Sequence, residues 1–321
     1  MCQEPSIPES LLREGQAMVE ALATDLAGAG LQIDRMVDKT IRRCDDVPLA
    51  QITEHLLQSA EEEKPLFDHL VDEADLTILI APETDGALAE RARWTREAGG
   101  RLLGPSEEVI ALATDKHGLA LQLQAAGIPV PEGIALSPGS RLPDDFDYPA
   151  VLKPRDGAGS LQMRLLQTVD PSVTIPFAAR LESYRSGQPT SVVVFCGPAG
   201  LTTLPACSQK LSADGHFTYL GGSLPLPTEL AQRAEQLARR AVAACGEPRG
   251  YLGVDLILGD QSEADCVIEI NPRLTTSYLL LREAARENLA GKMVAWSLGD
   301  CSPPQFDLRP LEFSLKREMM T

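Results

Sequence analysis

Apolar and polar residues alternate with a period of two over residues 251–259 and again over 266–273, and this alternation predicts two strands of one hairpin. Leu252, Val254, Leu256 and Leu258 share a face with Cys266, Ile268 and Ile270, while Asp255, Glu269 and Asn271 take the other. A hairpin centred near Ser262 sets Asp255 opposite Glu269. Like charges facing each other across a strand pair are destabilising. Two readings follow: a solvated outer face, or a platform for a hard divalent cation such as Mg²⁺, which needs few protein ligands when phosphates supply the rest.

The remaining pattern divides the chain into three parts. Leu11, Leu12, Met18, Val19, Leu22 and Leu26 recur at helical spacing, with Ser6 as N-cap, Glu9 three residues on, and Gly28-Ala-Gly30 as the stop. A strand is expected at 31–37 and an acidic helical stretch at 48–70, where Glu61-Glu62-Glu63 reads as a solvated run. Residues 75–81, apolar nearly throughout, predict a parallel-type strand, followed by a helix to 98 and a short strand at 101–103. This alternation predicts a doubly wound α/β domain over 1–104 that lacks the strand with which such a domain normally opens. A mixed α+β segment, 105–180, follows: helices within 106–126 interrupted at Asp115-Lys116, strands at 133–136, 148–154 and 161–167, and a helix over 171–179. The third part, 181–321, takes up the second half of a strand pair at 180–184 and 190–196. It adds strands at 201–209 and 216–220, a turn at Gly221-Gly222, an amphipathic helix over 228–245, the hairpin, helices at 277–287 and 289–298, and a last strand near 311–315.

Composition narrows the partners. At 321 residues the chain has room for two or three domains, and its formal charge of −17 argues against nucleic acid or an anionic membrane surface. Seven cysteines, with no CxxC pair, read as buried free thiols of a reducing cytosol. No apolar run approaches the roughly 20 residues that span a bilayer, and no signal peptide precedes the first helix. The expectation is a cytoplasmic protein that handles small molecules.

A second stretch carries candidate chemistry. Residues 148–160 (Tyr-Pro-Ala-Val-Leu-Lys-Pro-Arg-Asp-Gly-Ala-Gly-Ser) form an apolar strand that delivers Lys153 and a glycine-rich turn. Glycines let backbone N–H groups approach phosphate oxygens, and a lysine adds a point charge. An ordinary hairpin turn would look the same, but a lysine on a strand that otherwise reads as buried is rare unless paired. Asp115 can cap a helix and free Lys116 for a second phosphate, although most such lysines are simply solvated. Glu182 lies at a strand end where an adenine could be held, or in a plain connecting segment.

Taken in order, Asp-Lys, Val-Leu-Lys-Pro with its glycine-rich loop, Glu-Ser-Tyr-Arg with a following glycine, and Val-Asp with Ile-Glu-Ile-Asn-Pro-Arg resemble the ATP-grasp superfamily over nearly the whole chain. The resemblance implies ATP held between two α+β subdomains. Lys116 and Lys153 then match the phosphate-binding lysines. Asp156, Gly157, Ala158, Gly159 and Ser160 match the loop that closes over the phosphates, and Glu182, Ser183, Tyr184 and Arg185 the adenine hinge. Asp255, Glu269 and Asn271 match the Mg²⁺ (or Mn²⁺) ligands, and Arg273 the arginine on the acyl phosphate. A glutamate that often grips the ribose falls at about Pro189, a departure that puts ribose binding in doubt. The phrases Ser10-Leu-Leu-Arg-Glu14-Gly15, Ala81-Pro-Glu-Thr84, Gln209 with Tyr219-x-Gly-Gly222, and Asn271-Pro-Arg-Leu-Thr-Thr-Ser277 resemble the tyramine–glutamate ligases of methanofuran-type cofactor synthesis.

That likeness implies ATP-dependent joining of a carboxylate to an amine through an acyl phosphate, with Arg273 and Lys153 at the reacting groups. Thr275, Thr276 and Ser277 either hold the acceptor or merely cap the next helix. Other amino-acid or dipeptide ligases of the superfamily and a non-catalytic ATP-binding regulator remain as alternatives. A biotin-carboxylase-like enzyme is disfavoured by the short run of chain after the hairpin. Oligomeric state is not readable, with a homodimer as the working expectation.

Overall fold

The computed structural model describes residues 9–39, 50–157, 159–170 and 172–314. Ser6, Cys2, Cys44 and Ala158 therefore lie outside the described residues. The helical repeat of Met18, Leu22 and Leu26 buries one side of α1 (Glu9–Gly28). After it, β1 (Ile33–Asp38) and β2 (Ile52–Leu57) pair in parallel with Ile33 opposite Ile52. The stretch 48–70, expected to be helical, thus contains a strand. Cross-strand pairs of Arg35 with Glu54 and of Asp34 with His55 (2.7 Å) favour that register over local helix propensity. The helical part is confined to a 3₁₀ turn and α2 (Glu63–Glu73). Among the described residues the apolar run 75–81 pairs only at Thr77, whose N–H donates to Arg101 O (2.9 Å) and whose carbonyl accepts from Leu103 N (2.8 Å). Next comes α3 (Ala87–Glu97).

The break expected at Asp115 separates α4 (Glu107–Thr114) from α5 (Lys116–Ala125). An antiparallel four-stranded sheet follows, built from β3 (Gly133–Leu136), β4 (Ala150–Pro154), β5 (Arg164–Leu166) and β6 (Ala179–Ser183) in the order β3-β6-β4-β5. Leu136, Leu152, Ile175 and Leu181 form its core. Among the described residues 172–179, the helix expected over 171–179 does not form. Val173, Ile175 and Phe177 face this core at a period of two, Thr174 bridges Arg141, and Pro176 has no N–H for a helical bond.

The larger sheet has seven strands: β7 (Gln188–Gly197), β8 (Gly200–Thr203), β9 (Cys207–Leu211), β10 (Tyr219–Leu224), β11 (Gly250–Leu258), β12 (Cys266–Asn271) and β13 (Leu311–Ser314). Its order is β12-β11-β7-β9-β10-β13, with β8 against β7. The stretches 180–184 and 190–196 are therefore not a pair: β6 belongs to the small sheet, β7 to the large one, and residues 184–187 join them. Gly221-Gly222 lies inside β10 rather than at a turn. Gly221 has φ +146°, and a Cβ there would sit 2.1 Å from Phe313 O, so the close approach of β13 requires glycine.

One face of this sheet buries Val192, Val194, Leu252 and Val254 against Ala234, Ala238 and Ala241 of α6 (Thr228–Ala243). The other buries Val193, Phe195 and Tyr251 against α1, α7 (Ser277–Ala284) and α8 (Leu289–Ser297). Asp25 locks α1 in place, accepting from the Tyr278 hydroxyl (2.5 Å) and Arg282 Nε (2.8 Å). This anchor hangs the N-terminal half of α1 over the cleft between the two sheets.

Candidate active site

The β11–β12 register sets Asp255 opposite Glu269, and Asn271 opposite Gly253. A bulge then shifts the pairing so that Leu256 faces Val267. The extra residue, Ile268, turns out of the apolar face where alternation had put it and lines the cleft, while Val267 joins the core. Its carbonyl thereby becomes free to accept from Lys153 Nζ (3.3 Å).

Around this face opens a cleft of about 180 Å³. Lys116 Nζ reaches Glu269 Oε2 at 2.7 Å and the Gly157 carbonyl at 3.1 Å. Its backbone is fixed by Asp115, which caps α5 on the N–H groups of His117 and Gly118 and also binds Arg155, two residues beyond Lys153. Lys153, 1% exposed, pairs with Glu182 Oε1 at 2.6 Å, and Arg180 Nε holds the other oxygen at 2.7 Å. Arg180 also reaches Pro131 O (2.7 Å) and His117 Nδ1 (2.9 Å).

The two opposed carboxylates are electrostatically unlike. Burial, reinforced by Glu269, pushes Asp255 up to about 7. Burial pushes Glu269 the same way, but Lys116 and Lys153 outweigh it and hold this carboxyl far below the usual range. Burial would lower Lys116, yet Glu269 keeps its pKa raised. Asp255 accepts from Asn271 Nδ2 and from Gln209 Nε2, each at 3.0 Å. No group of three or more His, Cys, Asp or Glu side chains among the described residues is arranged to hold a metal. Two carboxylates and an amide do fit Mg²⁺ when phosphate oxygens complete its shell.

The other expected site residues divide. Ser183, Tyr184 and Arg185 line the cleft, and the Tyr184 ring stacks on Phe217 with centroids 6.3 Å apart. Gly159 and Ser160 line it too, with Ser160 Oγ donating to Phe217 O (2.9 Å), whereas Asp156 is exposed and does not line the cleft. Pro189 lines it where a ribose-binding glutamate was expected. Arg273 is gripped by Glu83, with Nε 3.0 Å from Oε1 and Nη2 donating to Oε2 at 3.1 Å. Thr275 Oγ1 lies 2.9 Å from the Tyr251 hydroxyl, and Thr276 lines the cleft together with Tyr219. Thr276 makes no side-chain bond at the N-cap of α7, so its hydroxyl does not serve as a helix cap. Ser277 also lines the cleft.

Sequence reasoning assigned no individual role to Glu14, Glu83, Gln209 or Phe217. All but Phe217 stand in the phrases shared with tyramine–glutamate ligases. That signal was present, but no spacing rule connects α1 or residue 83 to a hairpin so far along the chain.

A family model described as an ATP-grasp domain matches residues 113–277, and one described as a pre ATP-grasp domain matches 36–110. Biotin carboxylase of Halalkalibacterium halodurans is 38% identical over 90 residues, 26% of this chain, and the match spans only 20% of that protein's length. Tyramine–L-glutamate ligase of Methanocaldococcus fervens is 24% identical over 301 residues, covering 89% of this chain and 92% of that one. The crystal structure of an ATP-grasp superfamily protein from Archaeoglobus fulgidus superposes with TM-score 0.68 at 21% identity over 98% of this chain and 96% of that chain. With the family model spanning more than half its length, the chain belongs to the ATP-grasp family.

Proposed function

We propose that the protein is an ATP-dependent carbon–nitrogen ligase that activates a carboxylate as an acyl phosphate and transfers the acyl group to an amine. One observation carries the reading: Asp255, Glu269 and Asn271 share a face on which Lys116 already pairs with Glu269 and Lys153 approaches from beneath the bulge. Carboxylates and lysines interleaved in this way match a nucleotide triphosphate with its cation. Mg²⁺, held by Asp255, Glu269 and Asn271, would neutralise phosphate oxygens when bound.

The chain's own residues do the rest. Lys116 and Lys153 exchange their carboxylate partners for phosphate oxygens. The 156–160 loop, tethered through Ser160 to Phe217 and through Gly157 to Lys116, keeps water from the acyl phosphate. Glu182 to Arg185 receive the adenine between the sheets. Arg273, oriented by Glu83, faces the reacting carboxylate, whose oxygen attacks the γ-phosphorus as the bond to ADP breaks. The amine then attacks the acyl carbon and phosphate departs. Positioning and charge neutralisation supply the catalysis. The near full-length likeness to tyramine–L-glutamate ligase supports an amino acid and an amine as the pair.

The test is phosphate release from ATP–Mg²⁺ across a matrix of amino acids and primary amines, tyramine included. One pair should release phosphate stoichiometrically with amide formation, and Glu269→Gln should abolish that release. Amide formation that survives Glu269→Gln or excess chelator would sink the assignment.

A further inference from the structure

Four carboxylates line the cleft: Glu14, Glu182, Asp255 and Glu269. Three already have partners. Glu182 holds Lys153 and Arg180, Glu269 holds Lys116, and Asp255 accepts from Asn271 and Gln209. Glu14 makes no hydrogen bond or ion pair among the described residues. It is partly buried, four residues before Met18, which lines the same cleft from the same helix face. The Asp25 anchor to Tyr278 and Arg282 fixes α1, so the position of Glu14 is built rather than incidental. Burial raises its pKa, and Arg273 is near enough to pull it back down. A carboxylate withdrawn from water with no partner of its own is costly unless a cation arrives. Arg273 is not bonded to it: Glu83 and the Leu274 carbonyl take three of the five guanidinium N–H groups, and the remaining two are left for a substrate.

The cleft therefore offers a substrate one negative and one positive group within electrostatic reach of each other. We propose that Glu14 receives the ammonium group of the acyl-donor substrate while Arg273 faces its carboxylate, which makes the donor an amino acid and Glu14 a specificity-determining residue. The donor, rather than the attacking amine, is the partner because an ammonium held on a carboxylate has no lone pair with which to attack. The inference rests on the ligase reading above and deepens it.

Calorimetric binding with magnesium and the non-hydrolysable analogue AMP-PCP tests it, using three pairs: alanine and propionate, glutamate and glutarate, phenylalanine and 3-phenylpropionate. In the unaltered protein at least one amino acid should bind about 100-fold more tightly than its des-amino partner. Glu14→Gln should shrink that gap to less than about fivefold while still binding AMP-PCP. If that variant does not take up the analogue, Glu14→Ala replaces it. Equal binding within every pair, no binding of any acid, or a preference that survives loss of the carboxylate overturns the proposal. Trapping acyl phosphate with hydroxylamine separates the two levels. Hydroxamate formed equally from amino and des-amino acids refutes the role of Glu14 and leaves the ligase standing. An ammonium preference in binding without any hydroxamate leaves the Glu14 site standing and refutes the ligase.

Discussion

Glu182 is the most heavily committed carboxylate in the cleft, and its removal has a calculable cost. It is 5% exposed and sits between Lys153 (1% exposed) and Arg180 (2% exposed). Across the 2.6 Å contact to Lys153, the gross attraction at an effective dielectric of about 20 is roughly 6 kcal/mol. Desolvation of both groups offsets much of this, so the pair's net worth is small. Loss of one member is different, because it strands the other charge. In Glu182→Gln, Arg180 retains Pro131 O and His117, but Lys153 retains only the Ile268 carbonyl at 3.3 Å. A buried charge abandoned in this way costs about 3–5 kcal/mol. Urea denaturation followed by circular dichroism should show Glu182→Gln less stable by about 4 kcal/mol. The double variant Lys153→Met with Glu182→Leu removes the stranded lysine, leaves Arg180 on Pro131 O and His117, and should recover all but about 1–2 kcal/mol. A single variant within about 1 kcal/mol of the parent, or a double variant as unstable as the single, would refute the reasoning.

Two further outcomes follow from the same geometry. Asp255 titrates near 7 when folded against an ordinary value of 3.8, so the cation-free folded protein binds the extra proton between those values. Its stabilising contribution is complete below the lower value and disappears as pH rises through the upper one. Melting temperature in chelator should therefore fall from pH 5 to 8. Asp255→Asn should remove that component of the slope, and an identical slope in the variant would count against it. Gly187, in the link between the sheets, has φ +153°, and a Cβ there would lie 2.3 Å from Leu258 O. Gly187→Ala should cost about 2 kcal/mol or more in the same urea assay, and an unchanged midpoint would contradict the required backbone geometry.

Much of the site was legible because period-two alternation specifies faces. It placed Asp255 opposite Glu269, and the Asp115 cap placed Lys116 at a helix start. The failures share a cause, namely contacts distant in sequence. Pairing with β1 drew Ile52–Leu57 out of a helical-looking stretch. The core under the small sheet claimed Val173, Ile175 and Phe177 at a strand's period. The bulge after Asp255 reversed Ile268, and no residue type announces a bulge there. Glu14 and Glu83 were invisible as site residues because α1 reaches the cleft only through docking on α7, and Glu83 meets Arg273 only across the N-terminal unit.

Attack of a carboxylate oxygen on the γ-phosphorus at the Asp255–Glu269–Asn271 face leaves an isotopic trace. The acid that gives the strongest phosphate release is supplied with both carboxylate oxygens as ¹⁸O, together with ATP, magnesium and the amine. Each phosphate released should carry one ¹⁸O atom, and no label should reach the phosphate when Glu269→Gln is used. Unlabelled phosphate formed alongside the amide would contradict it.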